Sequence, residues 1–271
     1  FGTGGIFTAQ GKVSITNSKN ITLDGTGTVG IYAENNNTTG TKTDAVVTNT
    51  ASGVITAGDS TPSNASIGIY GEKATISTQG TISVGDGGGA IYAKGGTEVT
   101  TLGTLYLGDD AVGVMTDGTS DITATSVILT SNGSGNTIRA GILYKGTGTE
   151  NKDLNMNIDA STFNKGIALY VEDMSVASTG TLDVGQDGVG IFLKGSSVNI
   201  GTNKSTINLV TSKTGAIGMY SKTGNLVNDT TGIINLNDLS QTGIYGEGTD
   251  TKVLNNGTIN LNVDGAKGIY I

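Results

Sequence analysis

The chain contains no cysteine, no histidine and no tryptophan, and Pro62 is its single proline. Without cysteine there are no disulfides and no thiol chemistry, and in a secreted protein stability must come from stacking alone. Without histidine, Ser-His-Asp and Cys-His nucleophilic catalysis and histidine metal sites are excluded. Charged residues make up only 14% of the chain and aromatics 5%. The net charge of −8 disfavours a phosphate backbone, so nucleic acid is not an expected partner. No basic run addresses an anionic membrane, and no apolar run reaches the length of a membrane-spanning helix.

What is present is glycine, 45 of 271 residues, amid Thr, Asn and Ser. Such a composition can be disordered, but short β-branched runs recur from end to end. Val13-Ser14-Ile15, Thr81-Ile82-Ser83-Val84 and Ile233-Ile234-Asn235-Leu236 are examples. They read as many short strands separated by turns.

The strands are organised by a repeat. A small residue, an aliphatic and then an aromatic recur, as in Gly30-Ile31-Tyr32, Gly68-Ile69-Tyr70, Ala90-Ile91-Tyr92 and Gly190-Ile191-Phe192. Eleven copies fit the pattern, from Gly5-Ile6-Phe7 to Gly268-Ile269-Tyr270, with Met115 as a variant third position and Ile142-Leu143-Tyr144 as the sixth copy. Their mean spacing is about 26 residues. Between copies lies a Gly-Thr-Ile/Leu strand, such as Gly80-Thr81-Ile82 and Gly103-Thr104-Leu105. A weaker strand precedes it, such as Ala74-Thr75-Ile76 and Ser197-Val198-Asn199-Ile200. The period is too short for a propeller blade, and neither amphipathic helices nor a leucine-asparagine consensus is present. Three strands in about 26 residues predict one coil of a parallel β-helix. The expected fold is therefore an all-β, right-handed parallel β-helix with three short strands per coil and about ten coils. Handedness here follows the general crossover preference.

We read residues 1–271 as a single β-helix segment, a monomer, and a fragment of something longer, because the chain starts at Phe1 and ends at Ile271 inside a repeat. Loop insertions are expected near 35–43, 58–66 and 145–153. Insertions in repeat proteins form loops, which are either tolerated or used for recognition.

The aliphatic of each tripeptide, as at Ile31, Ile69 and Ile191, is assigned to the core. Strand alternation then turns the third position outward. Ten of the thirteen aromatics sit there: Phe7, Tyr32, Tyr70, Tyr92, Tyr144, Tyr170, Phe192, Tyr220, Tyr245 and Tyr270. Two residues on come charges, including Glu34, Glu72, Lys94, Asp117, Glu172, Lys194, Lys222 and Glu247. This predicts a partly exposed aromatic ladder. Its first role is stacking between coils. Its second would be docking of sugars or a protein, with Tyr32, Tyr70, Tyr92, Tyr220 and Tyr245 as candidate binding residues.

Catalytic groups do not assemble in the sequence. Gly58-Asp59-Ser60 looks like a nucleophile segment, but Thr61 follows and no base exists, so Ser60 is read as a turn serine. Arg139, the one arginine, has no carboxylate cluster beside it. Alternation sends the members of Asp109-Asp110 and Glu172-Asp173 to opposite faces, whereas a hydrolase needs paired carboxylates on one face. Asp59, Asp86, Asp109 and Asp187 follow the second motif and are expected to align. We read them as solvated turn residues, with weak calcium binding as the alternative. No catalytic residue, metal ligand or cofactor is assigned.

Gly-Ile-Tyr-Ala-Glu (30–34), Gly-Ile-Tyr-Gly-Glu (68–72 and 243–247), Gly-Thr-Ile-Ser-Val-Gly-Asp (80–86) and Ala-Ile-Tyr-Ala-Lys (90–94) resemble the passenger regions of large autotransporter adhesins, and most of all the very large fusobacterial ones. The resemblance spans the chain and transfers no binding residue. It implies a type V secreted virulence protein, displayed on the bacterial cell surface and anchored in the outer membrane by a C-terminal barrel not contained in these residues. The implied role is a non-catalytic adhesin segment binding a host or bacterial surface protein or glycan. Two alternatives stay open: a β-helical polysaccharide lyase or hydrolase, and a structural spacer with binding elsewhere.

Overall fold

The computed structural model describes residues 4–9, 12–35, 44–133, 139–211 and 215–271; of residues 4–9 and 139 only the backbone is described. Among the described residues every regular element is a strand, and the strands stack as a β-solenoid with three sheets per coil. The chain divides into two compact units, Phe1–Gly135 and Asn136–Ile271.

In the first unit, one sheet is built from Gly4–Ala9, Val29–Glu34, Ile67–Glu72, Gly89–Lys94 and Val112–Thr116. All are copies of the tripeptide, and they pair in parallel, Ile31 against Ile69, Ile69 against Ile91 and Ile91 against Val114. A second sheet joins the weaker strands, from Val13–Asn17 to Asp121–Ile122, and a third joins the Gly-Thr-Ile strands, from Asn20–Leu23 to Ser126–Ser131. The second unit repeats this plan. Its first sheet runs from Arg139–Lys145 through Gly166–Glu172, Val189–Lys194, Ile217–Thr223 and Thr242–Gly246 to Lys267–Tyr270.

The core is the expected aliphatic column. Ile31, Ile69, Ile91 and Val114 in the first unit are fully buried, as are Ile142, Leu169, Ile191, Met219 and Ile244 in the second. Each such side chain contributes roughly 1.5–3 kcal/mol by burial. Ile55 and Ile82 from the third sheet, and Val47, Ile76 and Val99 from the second, complete the interior of the first unit. One coil alone would leave these faces wet, so burial is supplied by the neighbouring coil.

The small residue that opens the tripeptide marks a close approach between coils. A Cβ on Gly68 would lie 2.6 Å from the Ala90 carbonyl oxygen and 2.5 Å from Ile82 Cγ2. The glycine of the second motif is tighter still, since a Cβ on Gly103 would lie 2.3 Å from the Gly80 carbonyl oxygen.

Two boundaries differ from the sequence reading. The strand expected over Ser197–Ile200 starts at Ile200 and runs to Asn203. Asn199 is drawn inward, accepting hydrogen bonds from Ser196 N at 2.8 Å and Ser196 Oγ at 3.0 Å, and this turn leaves Val198 in solvent. The insertion expected over 145–153 is shorter, because Lys145 ends one strand and Asn151–Leu154 is another. The insertion at 58–66 is a braced loop. Ser60 Oγ accepts from Ser66 N at 2.8 Å, Ser66 Oγ donates to the Asp59 carbonyl at 2.7 Å, and Thr28 N donates to Ser66 Oγ at 3.2 Å. Most of the insertion at 35–43 lies outside the described residues.

Candidate functional site

The aromatic ladder forms, with two corrections, the burial of Tyr70 and the place of Tyr144. In the first unit, Tyr32 and Tyr70 are in register, their ring centroids 4.8 Å apart and their planes 4° from parallel. Tyr92 meets Tyr70 edge-on at 5.5 Å. Tyr70 is buried, while Tyr32 and Tyr92 are half-buried. These rings pack on Val29 and Ile67, an apolar cluster on the ladder face. Phe7 pairs with Tyr32 through the backbone, but its side chain lies outside the described residues. In the second unit, Tyr170, Phe192, Tyr220, Tyr245 and Tyr270 follow one another at 4.9, 4.9, 5.3 and 5.2 Å. Tyr170 and Phe192 are stacked within 8°, and the later pairs are tilted by 41° to 60°.

Tyr144 is not part of the ladder. Leu143 is the residue in register with Tyr170, and Tyr144 pairs with Val171 on the inward face, 1% exposed. The repeat in this coil is Gly141-Ile142-Leu143, with leucine in the aromatic position. A shift of one residue reverses the face of every side chain in a strand. The inward Ile142 column fixes the register, and the aromatic follows it into the core.

Stacking decides what the ladder offers. In the two stacked pairs, Tyr32–Tyr70 and Tyr170–Phe192, the rings cover each other's faces and leave ring edges turned outward. Each such pair adds about 0.5–1.5 kcal/mol beyond area burial. The hydroxyls are held by the charged row. Tyr70 donates to Glu72 Oε2 at 2.7 Å, Tyr32 donates to Glu34 and Tyr220 to Glu247. Burial, reinforced by the Glu34 hydrogen bond and charge, pushes Tyr32 up to about 12. Burial and the carboxylate partner raise Tyr70 and Tyr220 as well, and burial followed by the Glu172 charge raises Tyr170. These hydroxyls therefore remain protonated donors throughout the neutral range.

The charges continue the row. Lys94 reaches Glu72 at 3.5 Å. Glu172 lies between Lys194 at 3.1 Å and Lys145 at 3.7 Å. Lys145 belongs to this row because Leu143, not Tyr144, is the ladder residue two positions before it. Asp117 closes the row in the first unit as a turn anchor. Burial opposes its charge, but hydrogen bonds from Gly95, Thr119 and Ser120 outweigh that and hold its carboxyl below the usual value.

Of the four aspartates expected to align, three do. Asp86 N donates to Asp59 Oδ1 at 2.9 Å, and Asp109 N donates to Asp86 Oδ1 at 2.7 Å. Each carboxylate thus caps the next coil's turn. Asp187 occupies a different turn position, one residue later, with φ +52°. Asp110 and Asp173 likewise sit in turns at φ +55° and +51°, apart from Asp109 and Glu172. No group of three or more carboxylates converges to hold a metal among the described residues.

Amide ladders went unrecognised in the sequence. Inside the first unit, Asn17 Nδ2 donates to Asn49 Oδ1 at 2.9 Å and Asn49 Nδ2 to Thr78 Oγ1 at 3.0 Å. Inside the second, Asn203 donates to Asn228 at 2.9 Å and Asn228 to Asn255 at 2.8 Å. An outer ladder runs from Asp183 through Asn208 and Asn235 to Asn260 at 2.8–2.9 Å. The available signal was an asparagine four residues before the glycine that opens the next strand, as in Asn49 and Gly53, or Asn228 and Gly232.

The insertion at 146–150 forms the wall of a groove of about 460 Å³ in the second unit. Its loop is closed by Glu150, which accepts from Thr147 Oγ1 at 2.7 Å, Thr147 N at 2.8 Å and Thr149 N at 3.2 Å. The Thr147 hydroxyl, then its N–H, lead the hydrogen bonds that lower the Glu150 carboxyl to about 2. Buried Asn199 ties the loop down, donating to the Gly148 carbonyl at 3.1 Å.

Comparison with protein-family models, with curated proteins and with solved structures found no match.

Proposed function

We propose that this chain is a display segment of a bacterial cell-surface adhesin, a non-catalytic solenoid from the passenger of a type V autotransporter. In this reading it is held at the outer membrane and binds a host or bacterial surface partner. The observation that carries the proposal is the ladder face. Within each unit, successive strands repeat a related outward pattern, a half-buried ring with a charged side chain two residues on, as at Tyr32, Tyr92, Tyr170, Phe192, Tyr220 and Tyr245, while Tyr70 is buried and Met115 and Leu143 replace the ring. A partner with matching spacing would engage several weak contacts at once, and linked contacts gain affinity without any one of them being strong. Exposed ion pairs such as Lys194–Glu172 add little to stability, so they are available to be exchanged for a partner's charges.

The test is binding of the purified chain to epithelial cells and to other bacteria, compared with the triple variant Glu72→Lys, Glu172→Lys and Glu247→Lys. These substitutions keep every ring but remove the carboxylate partners of Tyr70 and Tyr220, so circular dichroism melting controls for folding. The reading expects cell binding by the unaltered chain and at least a tenfold loss in the variant. Absence of binding to every surface would make the segment a spacer, and reproducible cleavage of a polysaccharide would make it an enzyme. Either result overturns the proposal.

A further inference from the structure

The groove beside the 146–150 loop is a second recognition site, distinct from the ladder. We infer that it binds a neutral oligosaccharide lying along the central strand of its floor. The inference rests on the display reading only for the source of the ligand, a surface glycan.

The floor is three parallel strands, Asn151–Leu154, Ser175–Ser178 and Ile200–Asn203. Their register sets Ala177 between Asp153 and Thr202, and Ser175 beside Asn151. Small side chains on the middle strand flanked by larger ones make a trough along that strand. Its flanks are two strand spacings apart, about 9.5 Å. One end is closed by the loop over Gly148–Glu150, and Lys204 and Asp153 stand 4.0 Å apart among the other lining residues. The volume of about 460 Å³ lies within the usual range for small-ligand sites.

Three features choose the ligand class. First, Ser175–Ser178 and Ile200–Asn203 are paired through their backbones on both sides, and only Asn151–Leu154 is the edge strand of its sheet, so a peptide could not add as a strand along the centre of the trough. Recognition must come from side chains. Second, those side chains suit hydroxyl groups, which both donate and accept. Asn151, Thr202 and Lys204 bring donors, Asp153 brings acceptors, and the exposed Val198 and Ile200 offer an apolar surface to C–H faces. Third, two carboxylates against one ammonium make the lining net acidic, which disfavours sulfated, phosphorylated or uronic glycans. The wall is also built in advance. Glu150 closes the loop on itself and Asn199 fixes it from below, so little ordering remains to oppose binding.

The experiment is a printed array of neutral, sialylated and sulfated oligosaccharides of three to six units. Calorimetry follows on the strongest neutral one. Ala177→Tyr fills the trough, and Thr202→Ala combined with Asp153→Asn removes polar contacts without adding bulk. Circular dichroism melting controls for folding. The inference expects a neutral ligand whose affinity falls at least tenfold in both variants at unchanged melting temperature. It also expects affinity within twofold of normal in the ladder variant that tests the display reading. Cell binding can therefore fail while the groove still takes its sugar, and the reverse. Binding of anionic glycans only, binding of none, or capture of basic peptides in preference would overturn the inference. So would an unchanged affinity in folded Ala177→Tyr and in the double variant.

Discussion

Replacing Asn49 with alanine should cost far more than the same change at Asn235, although each is an asparagine with two amide-ladder hydrogen bonds. Asn49 is fully buried, between Asn17 at 6% exposure and Thr78 at 0%. Removing its amide strands the Asn17 donor and takes one partner from the Thr78 hydroxyl, which keeps only a 3.5 Å contact to the Gly80 carbonyl. A buried polar group left unpaired costs about 1–3 kcal/mol. Two such groups, one partly rescued, give about 3 kcal/mol. Asn235 is half-exposed, and water can replace its 2.8 Å bonds to Asn208 and Asn260. Its loss should stay below about 1 kcal/mol. Solenoid unfolding need not be two-state, so a single melting temperature is a poor readout. Amide hydrogen exchange measures each coil. Asn49→Ala should speed exchange of the Val47 and Ile76 amides about a hundredfold, and Asn235→Ala should change its own coil by less than about fivefold. Equal effects at the two sites would refute the reasoning that burial makes the inner ladder structural.

Three further outcomes follow from the same physics. Ile191→Asp places an unpaired carboxylate in a fully buried column and should fray its coil by about 3–5 kcal/mol, whereas Ile191→Val should cost about 0.5–1.5 kcal/mol; exchange at Leu169 and Met219 measures both. Because Tyr32 is raised to about 12, its contribution to stability is fully present below the ordinary tyrosine value near 10. It should be lost as pH rises from there through 12, and Tyr32→Phe should flatten that loss in a pH series of denaturant midpoints. Gly103→Ala forces a Cβ to within 2.3 Å of a backbone oxygen and should lower the thermal transition, whereas alanine at Gly89, where nothing lies within 4 Å, should be tolerated.

The fold was legible because its signals are periodic. Inward Ile31, Ile69 and Ile191 repeat at a fixed phase, and glycines recur where coils approach. The outward ladder followed from alternation. The error at Tyr144 shows the limit: an aromatic matched by residue type was out of phase with the aliphatic that sets the register. The amide ladders were hidden because asparagine is common throughout the chain, and only pairing across coils shows which copies align. Asp187 was grouped with Asp59, Asp86 and Asp109 by its place after a strand, yet one residue of turn length separates it from their role. The groove was legible only as an inserted loop. Its floor depends on which small residues the register brings between larger ones.

Disulfide trapping in this cysteine-free chain tests the solenoid and its ladder face most directly. Parallel partners lie about 4.8 Å apart, within the range that a disulfide spans. The pair Leu143→Cys and Tyr170→Cys should cross-link readily under mild oxidation, and Tyr144→Cys with Tyr170→Cys should not, because Tyr144 faces the core. Cross-linking of the second pair and not the first, or of neither, would contradict the register on which the inward column and the ladder both depend.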